Sequence, residues 1–170
     1  MVDSKLVSAS LLLLVSLLFL SGVVAVSSDS GSGSFTFTVD GYVVTGVLTG
    51  AAIGHGGPVQ MLMSIDQTIS TSYGTVHVTG NGIWSGETDF NSINGVIENV
   101  AGTAQACAVL YCQSADFTGN GTWGGSLAWN SAAGLQGSGT FEGTLSFTGQ
   151  QTNQTRSVQV SGNWTASFDT

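Results

Sequence analysis

The sequence predicts an all-β protein, an antiparallel meander of about eight or nine strands closing into a barrel or sandwich, preceded by an N-terminal export segment. Three observations carry this prediction. From Phe35 onward, two-residue alternation of apolar and polar side chains is nearly continuous, and no stretch sustains the three-and-four spacing of an amphipathic helix. A Gly-x-aromatic-x-small core recurs around Trp84, Trp123, Phe141 and Trp164. Turn dipeptides such as Asp40-Gly41 sit between the alternating runs.

Taken from the N-terminus, the chain has an uncharged run of Leu, Val and Phe from Leu6 to Val26 after Lys5. Small residues at Val23-x-Ala25 and Ala25-x-Ser27 suit a signal peptidase, so residues 1–26 are expected to be a signal peptide. The competing expectation is a retained N-terminal anchor, because so long an uncharged run can span a hydrocarbon core of about 30 Å. Ser27 to Ser34 follows as a Ser/Gly-rich tether, and residues 35–170 are expected to form a single β domain.

Strands are expected at Phe35–Val39, Tyr42–Thr49 and Val59–Ile65, then from Val78 through Trp84 to Phe90. Others follow at Val96–Val100, Ala108–Gln113, Phe117–Trp129, Leu135–Phe147 and Val158–Phe168. Asn94-Gly95 and the stretch from Asn130 to Gly134 read as further turns. In each Gly-x-aromatic core the glycine leaves a gap and permits a sharp bend, while a ring from a neighbouring strand covers it. Strand after strand of this kind describes a strongly coiled sheet. The aromatics recur with no fixed period, which disfavours a solenoid or propeller.

Past Val26 the chain carries nine acidic residues and one basic one, Arg156, for a net charge of −8. Nucleic acid and anionic membranes both need clustered Lys and Arg, so neither is expected as a partner. Membrane association is expected only through the N-terminal segment, if it is uncleaved. With 7% charged residues, the outer faces must be wetted by Ser, Thr, Asn, Gln and Gly.

Cys107 and Cys112, close together in an exported chain, are expected to form one local disulfide. Sequons at Asn120, Asn153 and Asn163 are glycosylation candidates, and parity with Trp123 and Trp164 puts Asn120 and Asn163 on polar strand faces. Glu87 and Asp89, about 7 Å apart along a strand, are weak candidates for metal contacts or a glycosidase pair, with a solvated acidic patch as the default. His77 shares parity with Glu87 but lies about 33 Å away along a straight strand. His55, in Gly54-His-Gly-Gly-Pro58, has no Gly-x-Ser-x-Gly elbow to serve as an oxyanion loop. Trp84, Trp123, Trp129 and Trp164 are assigned to the core by their register, with Trp129 at its strand end the best candidate for a partly open ring.

No nucleophile, base and orienting group can be grouped from the sequence, so no catalytic residues and no cofactor are expected and the protein is read as a non-enzyme. The first functional expectation is a secreted or cell-surface protein with a structural, adhesive or self-assembling role, partnered by itself, other surface proteins or glycans. Its strand Phe35–Val39 could add to another subunit's sheet edge, or pair with Tyr42–Thr49 in its own. The alternative is a secreted barrel binding a small apolar or carbohydrate ligand. A second alternative is an outer-membrane-type barrel.

Overall fold

A computed structural model describes residues 29–52, 56–130 and 134–169. The N-terminal segment and His55 lie outside the described residues. The described strands are β1 (Asp29–Val39), β2 (Tyr42–Ala52), β3 (Pro58–Thr71), β4 (Gly74–Thr88), β5 (Ser92–Cys107), β6 (Cys112–Asn130), β7 (Gly134–Gly149) and β8 (Thr155–Asp169). Each pairs antiparallel with the next, and β8 returns to β1, so they close an up-and-down barrel of eight strands. The sandwich alternative and a ninth strand are thereby excluded for the described residues.

Alternation decides which face is core. Phe35, Phe37, Leu48, Met61, Trp84, Trp123, Phe141, Trp164 and Phe168 all point inward and are buried. Ser, Thr, Asn and Gln dominate the intervening outward positions, with Val43, Val47, Leu62 and Val96 among the exceptions. Four rings gather at mid-height around Trp84, whose centroid lies 5.8 Å from Phe35, 5.4 Å from Trp123, 5.3 Å from Phe141 and 6.5 Å from Trp164. Several of these pairs are edge-to-face or tilted, the favoured geometry for ring quadrupoles. The buried indole N–H groups are satisfied: Trp84 donates to Met63 Sδ (3.4 Å), Trp123 to the Ser85 carbonyl (3.2 Å) and Trp164 to the Gly124 carbonyl (3.2 Å).

The glycines answer these rings as expected. Gly80 and Gly102 face each other across β4 and β5, and a Cβ on either would strike the Phe117 ring. Gly86 and Gly95 face each other in the same pair of strands under the Trp123 indole. The bare backbone lets the wall bend tightly enough to close around large side chains.

Local turn chemistry explains the Asp40-Gly41 hairpin, where both residues have positive φ, 49° and 84°, as a two-residue type I′ turn requires. Several expected boundaries are corrected. Asp29 to Ser34 is not a tether but the first half of β1, hydrogen-bonded to β2 and β8, with Gly31 tucked under Phe168. Asn94-Gly95 is strand, and the turn lies instead at 89–91, where Asp89 accepts a hydrogen bond from the Phe90 N–H (2.8 Å). Phe90 is therefore exposed; the inward position is taken by Thr88, whose hydroxyl accepts from the Gly56 and Gly57 N–H groups. Ala108 to Tyr111 is not strand but the connection between β5 and β6.

That connection is closed by the Cys107–Cys112 disulfide, as expected. The half-cystines are only 5 positions apart, so the crosslink removes about 2 kcal/mol of chain entropy from the unfolded state. Replacing both with serine should lower the unfolding free energy by about 2 kcal/mol or less while leaving the barrel closed. Urea denaturation followed by tryptophan fluorescence measures the loss, and a collapse of the fold would show the staple to be structural for the whole barrel.

Candidate functional site

An eight-stranded barrel is just wide enough either to be filled by its own side chains or to hold one small ligand. This one does both at different heights. Below and around Trp84 the interior is packed, and the end bearing the β2–β3 and β4–β5 connections is sealed by Leu48, Ala52, Val59, Ile93, Leu127 and Phe168, all nearly inaccessible. Toward the end bearing the β1–β2, β3–β4, β5–β6 and β7–β8 hairpins, the inward rows lose their tryptophans. There the side chains no longer meet across the axis.

The result is an apolar cup of about 260 Å³. Phe37 and Phe117 lie lowest in it, at 7% and 3% exposure, and Phe37 also packs on the aromatic cluster through Phe35 and Phe141. Val44, Ile65, Val78 and Leu145 form the wall, and Val39, Ile69, Val76, Ala104 and Phe147 stand half-buried nearer the opening. Phe147 leans on Phe117 with ring centroids 5.5 Å apart. At the rim stand Asp40 and Tyr42; the Asp40 carboxylate is turned to Arg156, accepting hydrogen bonds of 3.1 and 2.9 Å from its guanidinium. Apart from that rim carboxylate and the Tyr42 phenol, the side chains lining the cup are apolar.

The residues singled out in the sequence are spread elsewhere. Glu87 is exposed near the end of β4 remote from the cup, and Asp89 is engaged in its own turn. Among the described residues no three His, Cys, Asp or Glu side chains come together to hold a metal ion. His77 lies on the outer wall, its Nδ1 3.1 Å from the Thr68 hydroxyl and its Nε2 3.6 Å from Asp66. Asn120 and Asn163 are exposed on the outer wall and Asn153 is exposed in the β7–β8 turn, at φ 53°. Trp84, Trp123 and Trp164 are buried, and Trp129 is the open ring, as its position at the strand end suggests. The chain matches no protein-family model, no curated protein and no solved structure. Geometry and chemistry alone therefore carry the functional reading.

None of the cup residues is conspicuous in sequence. A signal does exist, in that the inward rows carry no tryptophan near these four hairpins and several strands place Val, Ile or Ala there instead. Val76 and Val78 precede Trp84, Ile65 and Ile69 follow Met61 and Met63, and Ala104 follows Val100.

Proposed function

We propose that the protein is an exported, non-catalytic β-barrel that binds one small apolar ligand in its cup. The observation that carries the reading is the cup itself, an open cavity walled by aliphatic and phenyl side chains inside a closed antiparallel barrel. Ligand sites of this kind are concave, chiefly apolar and preformed. Export is supported by the uncharged run from Leu6 to Val26 and by the disulfide, a bond that persists in oxidising compartments.

The competing readings have less behind them. Strand addition to another subunit needs a free sheet edge, and β1 is paired on both sides, with β2 and with β8. Stacking of sugars needs exposed rings, whereas three of the four tryptophans are interior. An outer-membrane barrel presents a broad apolar band to lipid, and here the outward positions are dominated by Ser, Thr, Asn and Gln.

The test is a titration of the purified protein with a fluorescent medium-chain acyl probe, with organic extraction of the native protein for co-purified ligand. Saturable binding at one site per chain, competed by short alkyl alcohols or fatty acids, is the expected outcome. A protein that neither carries nor takes up any apolar molecule would return the reading to a structural or adhesive role.

A further inference from the structure

The rim of the cup gathers five large exposed apolar side chains, Tyr42, Tyr73, Val109, Leu110 and Tyr111, against two, Phe90 and Trp129, at the opposite end. The rim's four hairpins span 39–42, 71–74, 107–112 and 149–155. All three tyrosines of the chain, Tyr42, Tyr73 and Tyr111, fall in them and are exposed. The β5–β6 connection adds Val109 and Leu110, at 98% and 92% exposure. Tyr73 and Tyr111 line one shallow groove between neighbouring hairpins. The single charge in the four hairpins is Asp40, and Arg156 pairs with it.

The finger that presents Val109 and Leu110 is held in shape. The Cys107–Cys112 disulfide closes its base, and the Ala108 N–H donates to the Tyr111 carbonyl (3.0 Å). Two aliphatic side chains are thus fixed in water at the tip of a stiff loop. Hydration of such groups is unfavourable, and a loop already ordered loses little entropy when it binds.

We propose that this rim docks on an electrically neutral lipid bilayer, with Val109 and Leu110 inserted and the three tyrosines at headgroup level, so that the cup opens onto the membrane. Tyr suits that level because its ring is apolar while its hydroxyl stays hydrated. Neutral lipid is specified by charge: the rim offers no unpaired cation, and a chain of net charge −8 is repelled by an anionic surface. A protein partner fits less well, since a stable protein interface covers roughly 800 Å² on each side and this rim is a narrow tip around an opening. The proposal rests on the cup holding an apolar ligand, which would then pass between bilayer and barrel without crossing water.

The experiment is flotation of the processed protein with phosphatidylcholine vesicles, beside a Val109→Asp/Leu110→Asp variant. Both side chains are solvent-exposed, so the variant should fold and should bind the acyl probe in free solution as the original does. The original protein is expected to float, less so when phosphatidylserine is added, and the variant to partition at least about tenfold more weakly. Equal flotation of the two, or no flotation of the original, overturns the proposal. If the original fails to float yet takes up the probe from solution, docking falls and the ligand cup stands. If it floats but takes up no probe, the cup reading falls and docking stands.

Discussion

Replacing Trp84 with alanine should destabilise the barrel by about 3–5 kcal/mol, the range for a large aromatic removed from a packed core. The upper part of that range is expected because the hole cannot collapse. Trp84 is fully buried and surrounded by Phe35, Trp123, Phe141 and Trp164. The wall around these rings is a closed hydrogen-bonded cylinder, so no strand can move inward without breaking its ladder to a neighbour. The substitution removes the indole N–H donor and leaves only the weak thioether acceptor of Met63 without its partner, so the loss is chiefly one of packing. Val43→Ala, on the outer wall at 53% exposure, should change stability by no more than about 0.5 kcal/mol. Equilibrium urea unfolding of both variants measures the contrast. A Trp84→Ala protein as stable as the original would mean that the aromatic cluster is not what fills the barrel.

The fold was legible because an antiparallel barrel is written in a local code. Alternation separates core from surface at each strand, and Asp40-Gly41 supplies a turn that no other geometry satisfies as well. The covering of strand glycines by rings was legible too, since Gly162 of the Gly162-Asn163-Trp164 core lies under the Phe141 ring of neighbouring β7, as the tripeptide pattern implies. Failures came where the same residue types serve a tertiary purpose. Asn94-Gly95 has the composition of a turn, yet Gly95 is needed because a Cβ there would strike the Ser85 carbonyl and the Trp123 indole. The Ser/Gly stretch before Phe35 resembles a linker, yet between two partner strands its glycines allow close approach to Phe168 and Ala166.

A bulge hid the rest of β5. Ile93 and Ile97 point inward at odd positions, Glu98 and Asn99 are both exposed, and the inward row resumes at the even positions Val100 and Gly102. Asn99, at φ 54°, absorbs the extra residue. Strict parity across Val96–Val100 misses that change. The cup was illegible for another reason: it exists where inward side chains fail to meet, which depends on the barrel's diameter and stagger and on no single strand. Its aliphatic lining is ordinary core chemistry when read one strand at a time.

Filling that space should abolish ligand uptake and leave the fold intact, and Ala104→Trp is the substitution that separates the two. Ala104 lies in the cup lining on β5, half-buried, opposite Val78 on β4 and Ala115 on β6. Two residues deeper in the same inward row, Gly102 has no room even for a methyl group, because a Cβ would strike the Thr79 carbonyl and the Phe117 ring. At Ala104 an indole instead points into the opening of a cavity of about 260 Å³ and takes up a large share of it. Affinity for the acyl probe should fall by roughly a hundredfold or more, equivalent to about 2.7 kcal/mol, since the probe must leave its apolar contacts or displace the ring. Unfolding free energy should change by less than about 1 kcal/mol, because the added ring meets open space and the packed core below it is untouched. Probe titration and urea unfolding on the same preparation give both numbers. Unchanged affinity in a folded Ala104→Trp protein would move the apolar site out of the cup, and lost affinity with lost stability would call for the same test at Val76, which also stands near the opening.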